Sequence, residues 1–312
     1  DTILLWDGSN AGEVFRARTG LLASTMTHIG HGDEFEPEYF CYAAKRWDAY
    51  LKGQTSGSGI PHVDKGVLGK LEILKLPTDE QKLVANILTT LDRAIEQTDT
   101  LIAKQHRIKT GLMQDLLTKG IDEHGNIRSE ATHAFKDSLL GRIPVEWDVQ
   151  EVKSLLEDVD PAMRSGPFGS ALLKEDLAES GIPLLGIDNV FPEEFVADYK
   201  RFVPPKKAEK LRRYLVRPRD LMITIMGTVG RCCVVPDEIG EALSSKHVWT
   251  ISIDQAKYSS YVACLQINYS PWVLKHFAKD EQGGIMASIR AETLRITRLP
   301  VPPRDELEKI ES

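Results

Sequence analysis

The stretch that decides the fold is LEILKLPTDEQ, Leu71–Gln81, and a close echo of it, LRITRLPVPPRDEL, occupies Leu294–Leu307. Both stretches contain the frame L-x-I-x-x-L-P, and both run from an apolar, strand-like segment through proline into acidic residues. Because an internal repeat determines the architecture of a whole chain, the segments that precede each copy show whether the frame belongs to a larger duplication.

Four further pairs of segments precede the two copies in the same order. The pairs are DTILLWDGSNAG from Asp1 with DLMITIMGTVG from Asp220, LLASTM from Leu21 with EALSSKHV from Glu241, EYFCYAA from Glu38 with SYVACLQ from Ser260, and GSGI ending at Ile60 with QGGI ending at Ile285. A period of about 220 residues is too long for a solenoid unit. The sequence therefore predicts a duplicated domain, with the back half of the first copy and the whole of the second.

The segment after the first copy of the frame predicts one long amphipathic helix. From Asp79 to Leu117, apolar residues recur every three or four positions and so lie on one helical face. Thr78 is the candidate N-cap, and Gly120 gives a stop signal. A rod of ~58 Å needs a partner helix along its apolar seam, so we expect a coiled-coil interface. The predicted interface residues are Val84, Leu88, Leu91, Ile95, Ile102, Ile108 and Leu112.

This helix divides the chain into parts and sets the fold class. We expect the C-terminal part of a first domain over 1–77, the long helix over 78–120, a linker over 121–140, a second domain over 141–302 and the start of a second helix over 303–312. Short strands, glycine turns and scattered helices predict a mixed α/β fold, with globular domains joined by the helical spacer.

Composition limits the possible functions. The chain is 42% hydrophobic and 27% charged, with a net charge of −7. No apolar run reaches the roughly 18 residues of a membrane span, so we expect no membrane association. The four cysteines contain no C-x-x-C pair, which predicts reduced, buried thiols and no metal site. The net negative charge disfavours nucleic-acid binding by the protein surface as a whole, so such a function must depend on a local basic patch.

One local patch is strongly basic. Lys200–Arg219 contains nine basic residues and one acidic residue, Glu209. Such a stretch can supply several phosphate contacts to a nucleic acid. It can equally be a solvated surface, because the acidic segment DNVFPEEFVAD just before it offers partners for these charges.

Catalytic motifs do not emerge from the sequence. NYSPW, Asn268–Trp272, resembles the N-P-P-Y motif of amino-methyltransferases but lacks its first proline and a preceding glycine-rich loop. Gly227–Gly230 is too short for a phosphate-binding loop, and His247 has no evident Asp partner for a triad. We therefore expect no catalytic residues.

Taken together, these segments resemble the specificity subunits of type I restriction-modification systems. The matching segments are LLGRIPVEWDVQEV from Leu139, SGPFGSAL from Ser165, GIPLLGIDNV from Gly181, RPRDLMITIMGTVGR from Arg217, SSKHVW from Ser244 and LPTDEQKLVANILTTLD from Leu76. Members of this family have two target-recognition domains, each followed by a long helix, and the two helices pair antiparallel. On this resemblance the chain is a fragment without the front of the first domain and without most of the second helix. The helix seam would then be exposed, and the fragment should self-associate.

The resemblance implies a non-catalytic subunit that recognises double-stranded DNA. Each domain would recognise half of a bipartite target, and the helices would set the distance between the halves. The implied partners are two modification (methyltransferase) subunits docked on the helices and a restriction subunit. S-adenosylmethionine, Mg and ATP are then expected only in those partner subunits, with no cofactor in this chain, and the expected location is the cytoplasm of a prokaryote.

Candidate DNA contacts lie in the second domain. The cations expected at phosphates are Lys206, Lys207, Lys210, Arg212, Arg213, Arg217 and Arg219. The turn residues expected at bases or at the DNA backbone are Ser170, Thr228, Ser245, Lys246 and His247. The recognised bases do not follow from the resemblance, since recognition domains diverge with the sequence they recognise.

Two other functions are compatible with parts of the sequence. The chain could be the recognition tail of a fused restriction enzyme–methyltransferase, with the catalytic part upstream of Asp1. It could also be a coiled-coil interaction module without a DNA role, which would explain the helix but neither the duplication nor the basic patch.

Overall fold

The computed structural model describes residues 1–57, 59–281 and 288–311. The chain forms two compact units, Asp1–Gln105 and His106–Ser312, and the longest helix contributes residues to both. The QGGI segment of the predicted repeat lies outside the described residues, as does Ser58 of its counterpart GSGI.

The first unit contains a three-stranded antiparallel sheet with helices packed against it. Its elements are β1 (Thr2–Leu5), β2 (Val14–Arg16), β3 (Met26–Ile29), α1 (Pro37–Lys45), α2 (Asp48–Gly53), β4 (Thr55–Ser56), β5 (His62–Val63), α3 (Lys65–Leu68) and the first part of α4 (Thr78–Lys119). Leu4, Val14 and Leu51 are fully buried in its core.

The second unit begins with the end of α4 and contains a four-stranded and a three-stranded sheet. Its strands are β6 (Phe135–Ser138), β7 (Gly141–Pro144), β8 (Asp148–Glu151), β9 (Met163–Ser165), β10 (Ile182–Leu185), β11 (Phe202–Val203), β12 (Leu221–Thr224), β13 (Cys232–Val234), β14 (Leu243–Ser244), β15 (Val248–Ile251) and β16 (Arg298–Val301). Its other helices are α5 (Pro205–Glu209), α6 (Ser260–Tyr269), α7 (Pro271–Glu281), α8 (Ala291–Ile296) and α9 (Arg304–Glu311). The four-stranded sheet has the order β13-β12-β15-β9, and the three-stranded sheet has the order β11-β10-β14. The mixed α/β fold with a long helix that the sequence predicted is therefore confirmed.

The central strands of the two units are built alike. β1 lies between β2 and β3, and β12 lies between β13 and β15, with antiparallel pairing throughout. Thr2, the first residue of β1, pairs with the last residue of each neighbouring strand, and Leu221 at the start of β12 does the same. Two helices follow the three strands in each unit. This shared order and register support the predicted duplication.

The two copies of the L-x-I-x-x-L-P frame differ in local structure. In the second copy, Leu294 and Ile296 lie in α8, and only its last part forms a strand, β16, which pairs with β8. In the first copy, residues 71–77 form no regular element. The expected strand is thus wrong for most of the frame, whose shared feature is a proline-containing exit into a helix, α4 or α9.

α4 spans 42 residues, or ~63 Å at the usual rise per residue. Its first turn is fixed by Gln81, which is fully buried. The Gln81 amide nitrogen donates to the Leu76 carbonyl (2.7 Å), and its amide oxygen accepts from the Glu36 backbone N–H (2.8 Å). The helix ends before Gly120, whose φ of +62° is the left-handed conformation that terminates helices.

A buried carboxylate, Glu306 of α9, holds the segment that follows α4. Its oxygens accept hydrogen bonds from the Arg128 guanidinium (2.5 Å), the Ile121 backbone N–H (2.9 Å) and the Trp147 indole (3.0 Å). A Cβ on Gly120 would collide with both Glu306 and Trp147. The end of α4 and the beginning of α9 therefore share one polar contact site in the core.

Residues 121–140, predicted as a linker, form turns followed by β6, which pairs with β7 as a hairpin. All four cysteines are buried and free. Among the described residues, none of the helices is both long and apolar enough for a membrane span, and there is no group of three His, Cys, Asp or Glu residues that could hold a metal ion.

Candidate nucleic-acid interface

Five strand ends of the second unit meet at one edge. β9 and β12 end there, and antiparallel β15 begins there, because Thr224 pairs with Val248 and Ser165 pairs with Trp249. The parallel strands β10 and β14 also end at this edge. We call the surface formed by the connecting turns, residues 165–168, 186–189, 225–231 and 245–247, together with Arg201, whose guanidinium lies beside Gly186, the turn edge.

The turns of this edge contact one another closely. The Gly166 backbone N–H donates to the Ser245 carbonyl at 3.1 Å, and a Cβ on Gly166 would collide with the Ser245 backbone. The Ser245 backbone N–H in turn donates to the Leu185 carbonyl at 2.8 Å. Ile187 Cδ1 lies 3.9 Å from the position of a Cβ on Gly227. The turn edge is therefore one continuous surface built on a rigid sheet.

An arginine–aspartate pair lies on the turn edge. Arg201 Nη2 donates to Asp188 Oδ2 at 2.8 Å, and the two side chains are 32% and 36% exposed. The guanidinium lies against Gly186, where a Cβ would meet its Nη2 nitrogen. A larger residue at this position would therefore displace the arginine side chain from its place beside the turn.

Two hydroxyl groups of the same edge lack hydrogen-bond partners. Ser245 Oγ and Thr228 Oγ1 are buried, and neither has a partner among the described residues. A buried polar group without a partner costs about 1–3 kcal/mol, so proteins keep few of them. The polar groups of these turns are therefore incompletely satisfied within the protein itself.

The imidazole of His247 is the group of the turn edge whose pKa is shifted. Burial lowers the pKa of His247 below its ordinary value, and the positive charges of Lys246 and Arg201 lower it further. Asp188 acts in the opposite direction. At neutral pH the ring is therefore uncharged and can both donate and accept a hydrogen bond.

Several cations predicted at phosphates are engaged within the protein. Lys207 pairs with Asp176 (2.9 Å), Arg219 with Asp237 (3.1 Å) and Arg212 with Glu209 (3.2 Å). The Arg217 guanidinium donates to Ser252 Oγ and to the Pro161 carbonyl. Within the described residues, Lys206, Lys210 and Arg213 form no ion pair, and the Arg213 guanidinium lies over the Tyr214 ring. All seven remain predictions as DNA contacts.

The structure brings together only part of the predicted site. Thr228, Ser245, Lys246 and His247 lie on the turn edge, and exposed Ser170 follows it in a short 3₁₀ turn. By contrast, α5, which carries Lys206 and Lys207, follows β11 directly. The last residue of β11, Val203, pairs with Ile182, the first residue of β10. Because the turn edge lies at the last residue of β10, α5 and the turn edge are at opposite ends of that strand.

Two residues of the turn edge were missed as candidates from the sequence. Arg201 lies within the basic stretch, and Asp188 lies in the GIDNV segment. Their separate segments gave no signal that they pair, because the contact forms only when β11 returns alongside β10.

The predicted interface on α4 is exposed over most of its length. Leu91, Ile95, Ile102, Ile108 and Leu112 are between 43% and 58% exposed. Val84 and Leu88 are half-buried and line a cleft of about 890 Å³ with aromatic residues of the first unit. Within the described part of the chain, the face from Leu91 to Leu112 is therefore an exposed apolar stripe.

Comparisons with known proteins agree with these observations. The sequence profile of the family described as type I restriction modification DNA specificity domain matches residues 1–104. The type I restriction enzyme MjaVIII specificity subunit of Methanocaldococcus jannaschii is 33% identical over 226 residues, which are 72% of this chain and 49% of that protein. The EcoBI specificity subunit of Escherichia coli is 21% identical over 245 residues, covering 77% of this chain and 50% of that protein. The chain thus spans about half the length of the curated relatives it matches.

Solved structures show the same fold. A chain from a structure of complex assembly and conformational transition of the type I R-M system aligns with a TM-score of 0.56 and 14% identity, covering 99% of this chain and 72% of that chain. The S subunit of a type I restriction-modification system from M. genitalium aligns with a TM-score of 0.54 and 16% identity, covering 99% and 73%. The architecture, with its compact units and long helix, is therefore that of the specificity-subunit fold. The chain belongs to the family of type I restriction-modification specificity subunits, as its sequence resemblance predicted.

Proposed function

We propose that this chain recognises double-stranded DNA for a type I restriction-modification complex and performs no chemistry itself. The turn edge carries the proposal: it presents an arginine–aspartate pair, a neutral histidine and the exposed Lys246 on the ends of five strands. Sequence recognition requires such donors and acceptors held rigidly at the edges of bases. Each recognition unit binds one half of a bipartite target.

Phosphate binding supplies the affinity in this proposal. Within the described residues, Lys206, Lys210, Arg213 and Lys246 form no ion pair, so their charges are available to DNA although the chain is acidic overall. With four phosphate contacts, a plot of log Kd against the logarithm of the salt concentration would have a slope of roughly 3 to 4. The engaged residues Lys207 and Arg219 would contribute less, because DNA must compete with their aspartate partners.

The long helix acts as the spacer between half-sites. Its exposed stripe from Leu91 to Leu112 requires a second helix, and in the assembled complex we assign that place to the antiparallel spacer helix. Two modification subunits dock on the helix pair, and a restriction subunit joins them. S-adenosylmethionine, Mg and ATP then belong to those subunits, and the complex works in a prokaryotic cytoplasm.

The test is selection of duplex DNA from a randomised library by the 312-residue chain at several salt concentrations. We expect one short motif to be enriched, with binding that weakens strongly between about 50 mM and about 200 mM salt. Arg142→Ala serves as a control, because Arg142 is a surface arginine paired with Glu130 and Asp137 on the β6–β7 hairpin. Absence of binding at low salt would contradict the proposal and favour an interaction module.

A further inference from the structure

Unsatisfied polar groups are concentrated on the turn edge. Five buried side-chain nitrogen or oxygen atoms of the described residues have no hydrogen-bond partner: Thr2 Oγ1, Arg201 Nε, Thr228 Oγ1, Ser245 Oγ and Trp272 Nε1. Three of these five belong to the turn edge, although it is a small fraction of the chain. Each such atom costs free energy in the folded protein, so the turn edge is the part of the described chain where buried polar groups are least satisfied.

Arg201 is the member of this cluster best placed to bind a ligand. A guanidinium has five N–H donors. Among the described residues, Asp188 Oδ2 is the one acceptor that it contacts through its side chain, so most of these donors are unused. The side chain is about one-third exposed, and contact with Gly186 on one side limits its rotation. The arginine is therefore both reachable and oriented before any ligand binds.

The charge of the pair favours a base over a phosphate. Asp188 neutralises Arg201 at 2.8 Å and would repel a phosphate oxygen brought to the same place. A base edge carries no net charge, so the aspartate does not oppose it. Guanine presents two adjacent acceptors, O6 and N7, in the major groove, which match two parallel N–H donors of one arginine.

Asp188 adds a second element of recognition. Its Oδ2 is used by Arg201, and its Oδ1 accepts no hydrogen bond from the described residues. A carboxylate oxygen beside a guanine-bound arginine can accept from the N4 amino group of cytosine. The pair therefore matches a G·C base pair and would repel adjacent acceptors such as thymine O4.

We propose that Arg201, oriented by Asp188 and Gly186, recognises a guanine in the major groove of the half-site bound by the second unit. This inference rests on the proposed function, since it names the base that the turn edge recognises. Arg201 is the specificity-determining residue, and Asp188 both fixes the guanidinium plane and offers its Oδ1 to the paired cytosine.

The experiment uses the 312-residue chain and the motif that it selects. The motif is expected to contain a guanine whose replacement weakens binding roughly 5- to 150-fold, the usual range for a bidentate arginine–guanine contact. Arg201→Lys should remove most of the preference at that position and retain salt-dependent binding, because lysine keeps the charge without the planar pair of donors. Asp188→Asn should weaken the preference less than Arg201→Lys, and Arg142→Ala should leave it unchanged.

A probe on the DNA keeps the test independent of variant folding. Duplexes with 7-deazaguanine at the selected position lack the N7 acceptor and should bind wild-type protein more weakly, while binding of Arg201→Lys should change little. A motif without guanine, or a guanine preference equal in wild type and Arg201→Lys, would overturn this inference and leave the proposed function standing. Failure of wild-type protein to select any motif would overturn the proposed function itself.

Discussion

Replacing Glu306 with alanine should strongly destabilise the second unit. Glu306 is 6% exposed and accepts hydrogen bonds from Arg128, Ile121 and Trp147. The variant leaves a buried guanidinium without its counter-charge and two neutral N–H groups without an acceptor. Because these groups surround the end of α4, the variant also loosens the packing of that helix end against α9.

The expected magnitude follows from the number and burial of these contacts. Removing one partner of a buried ion pair typically costs ~3–5 kcal/mol. Each orphaned neutral donor costs up to about 1–3 kcal/mol, although water entering the new cavity recovers part of that cost. We therefore expect Glu306→Ala to lower the free energy of unfolding by about 3–5 kcal/mol, a large part of the ~5–15 kcal/mol of a typical domain.

Urea unfolding monitored by tryptophan fluorescence measures this free energy, since Trp147 contacts Glu306 directly. Arg128→Met and the double variant Arg128→Met/Glu306→Ala complete a double-mutant cycle. The double variant should be more stable than the sum of the single losses predicts, by roughly 0.5–3 kcal/mol, because it leaves no buried charge unpaired. A loss below about 1 kcal/mol for Glu306→Ala, or a coupling energy near zero, would refute the assigned role.

Three further predictions concern packing, charge and the exposed helix. Gly166→Ala should lower the free energy of unfolding by about 1–3 kcal/mol, because the added Cβ would collide with backbone atoms. Gly111→Ala should raise it by about 0.5–1 kcal/mol, because Gly111 lies within α4 with open space around its Cβ position. Urea unfolding measures both changes, and the opposite order of stability would contradict the packing described for Gly166. Arg201→Gln should raise the pKa of His247 in an NMR titration, because it removes one of the positive charges that lower that pKa. An unchanged pKa would show that the Arg201 charge does not act on the His247 ring. Ile95→Glu should reduce self-association of the chain in sedimentation velocity, because it puts a charge into the exposed apolar stripe; unaltered association would exclude that stripe as the contact.

The long helix and the duplication could be predicted because both depend on local patterns. The spacing of apolar residues along α4 predicts one helical face without any tertiary information. Segments repeated in the same order indicate that two units share a sheet, even when the geometry of that sheet is unknown. The strand expected in the L-x-I-x-x-L-P frame was wrong for Leu294 and Ile296, which lie in α8. Short apolar runs do not distinguish a strand from a buried helical turn, so packing decided the outcome there.

The candidate site was less predictable because it depends on tertiary contacts. Charge density singled out the stretch containing Lys207 and Arg219, but the structure pairs both with aspartates from other segments. The structure places the predicted turn residues Ser245 and His247 on one surface, where they stay predictions as DNA contacts, whereas their neighbour Asp188 was not chosen. Neither the strand order nor the partner of each arginine can be obtained from composition, since both depend on β10 lying between β11 and β14.

The location of DNA on the second unit tests the central claim most directly. Duplexes of the selected motif carrying 5-iodouracil at successive positions can be photo-crosslinked to the 312-residue chain, and the attached peptides identified by mass spectrometry. Cross-links within the motif should fall on the turn edge, residues 165–168, 186–189, 225–231 and 245–247 with Arg201. Cross-links confined to α4, or to the basic segment of α5 and the residues that follow it, would contradict that claim.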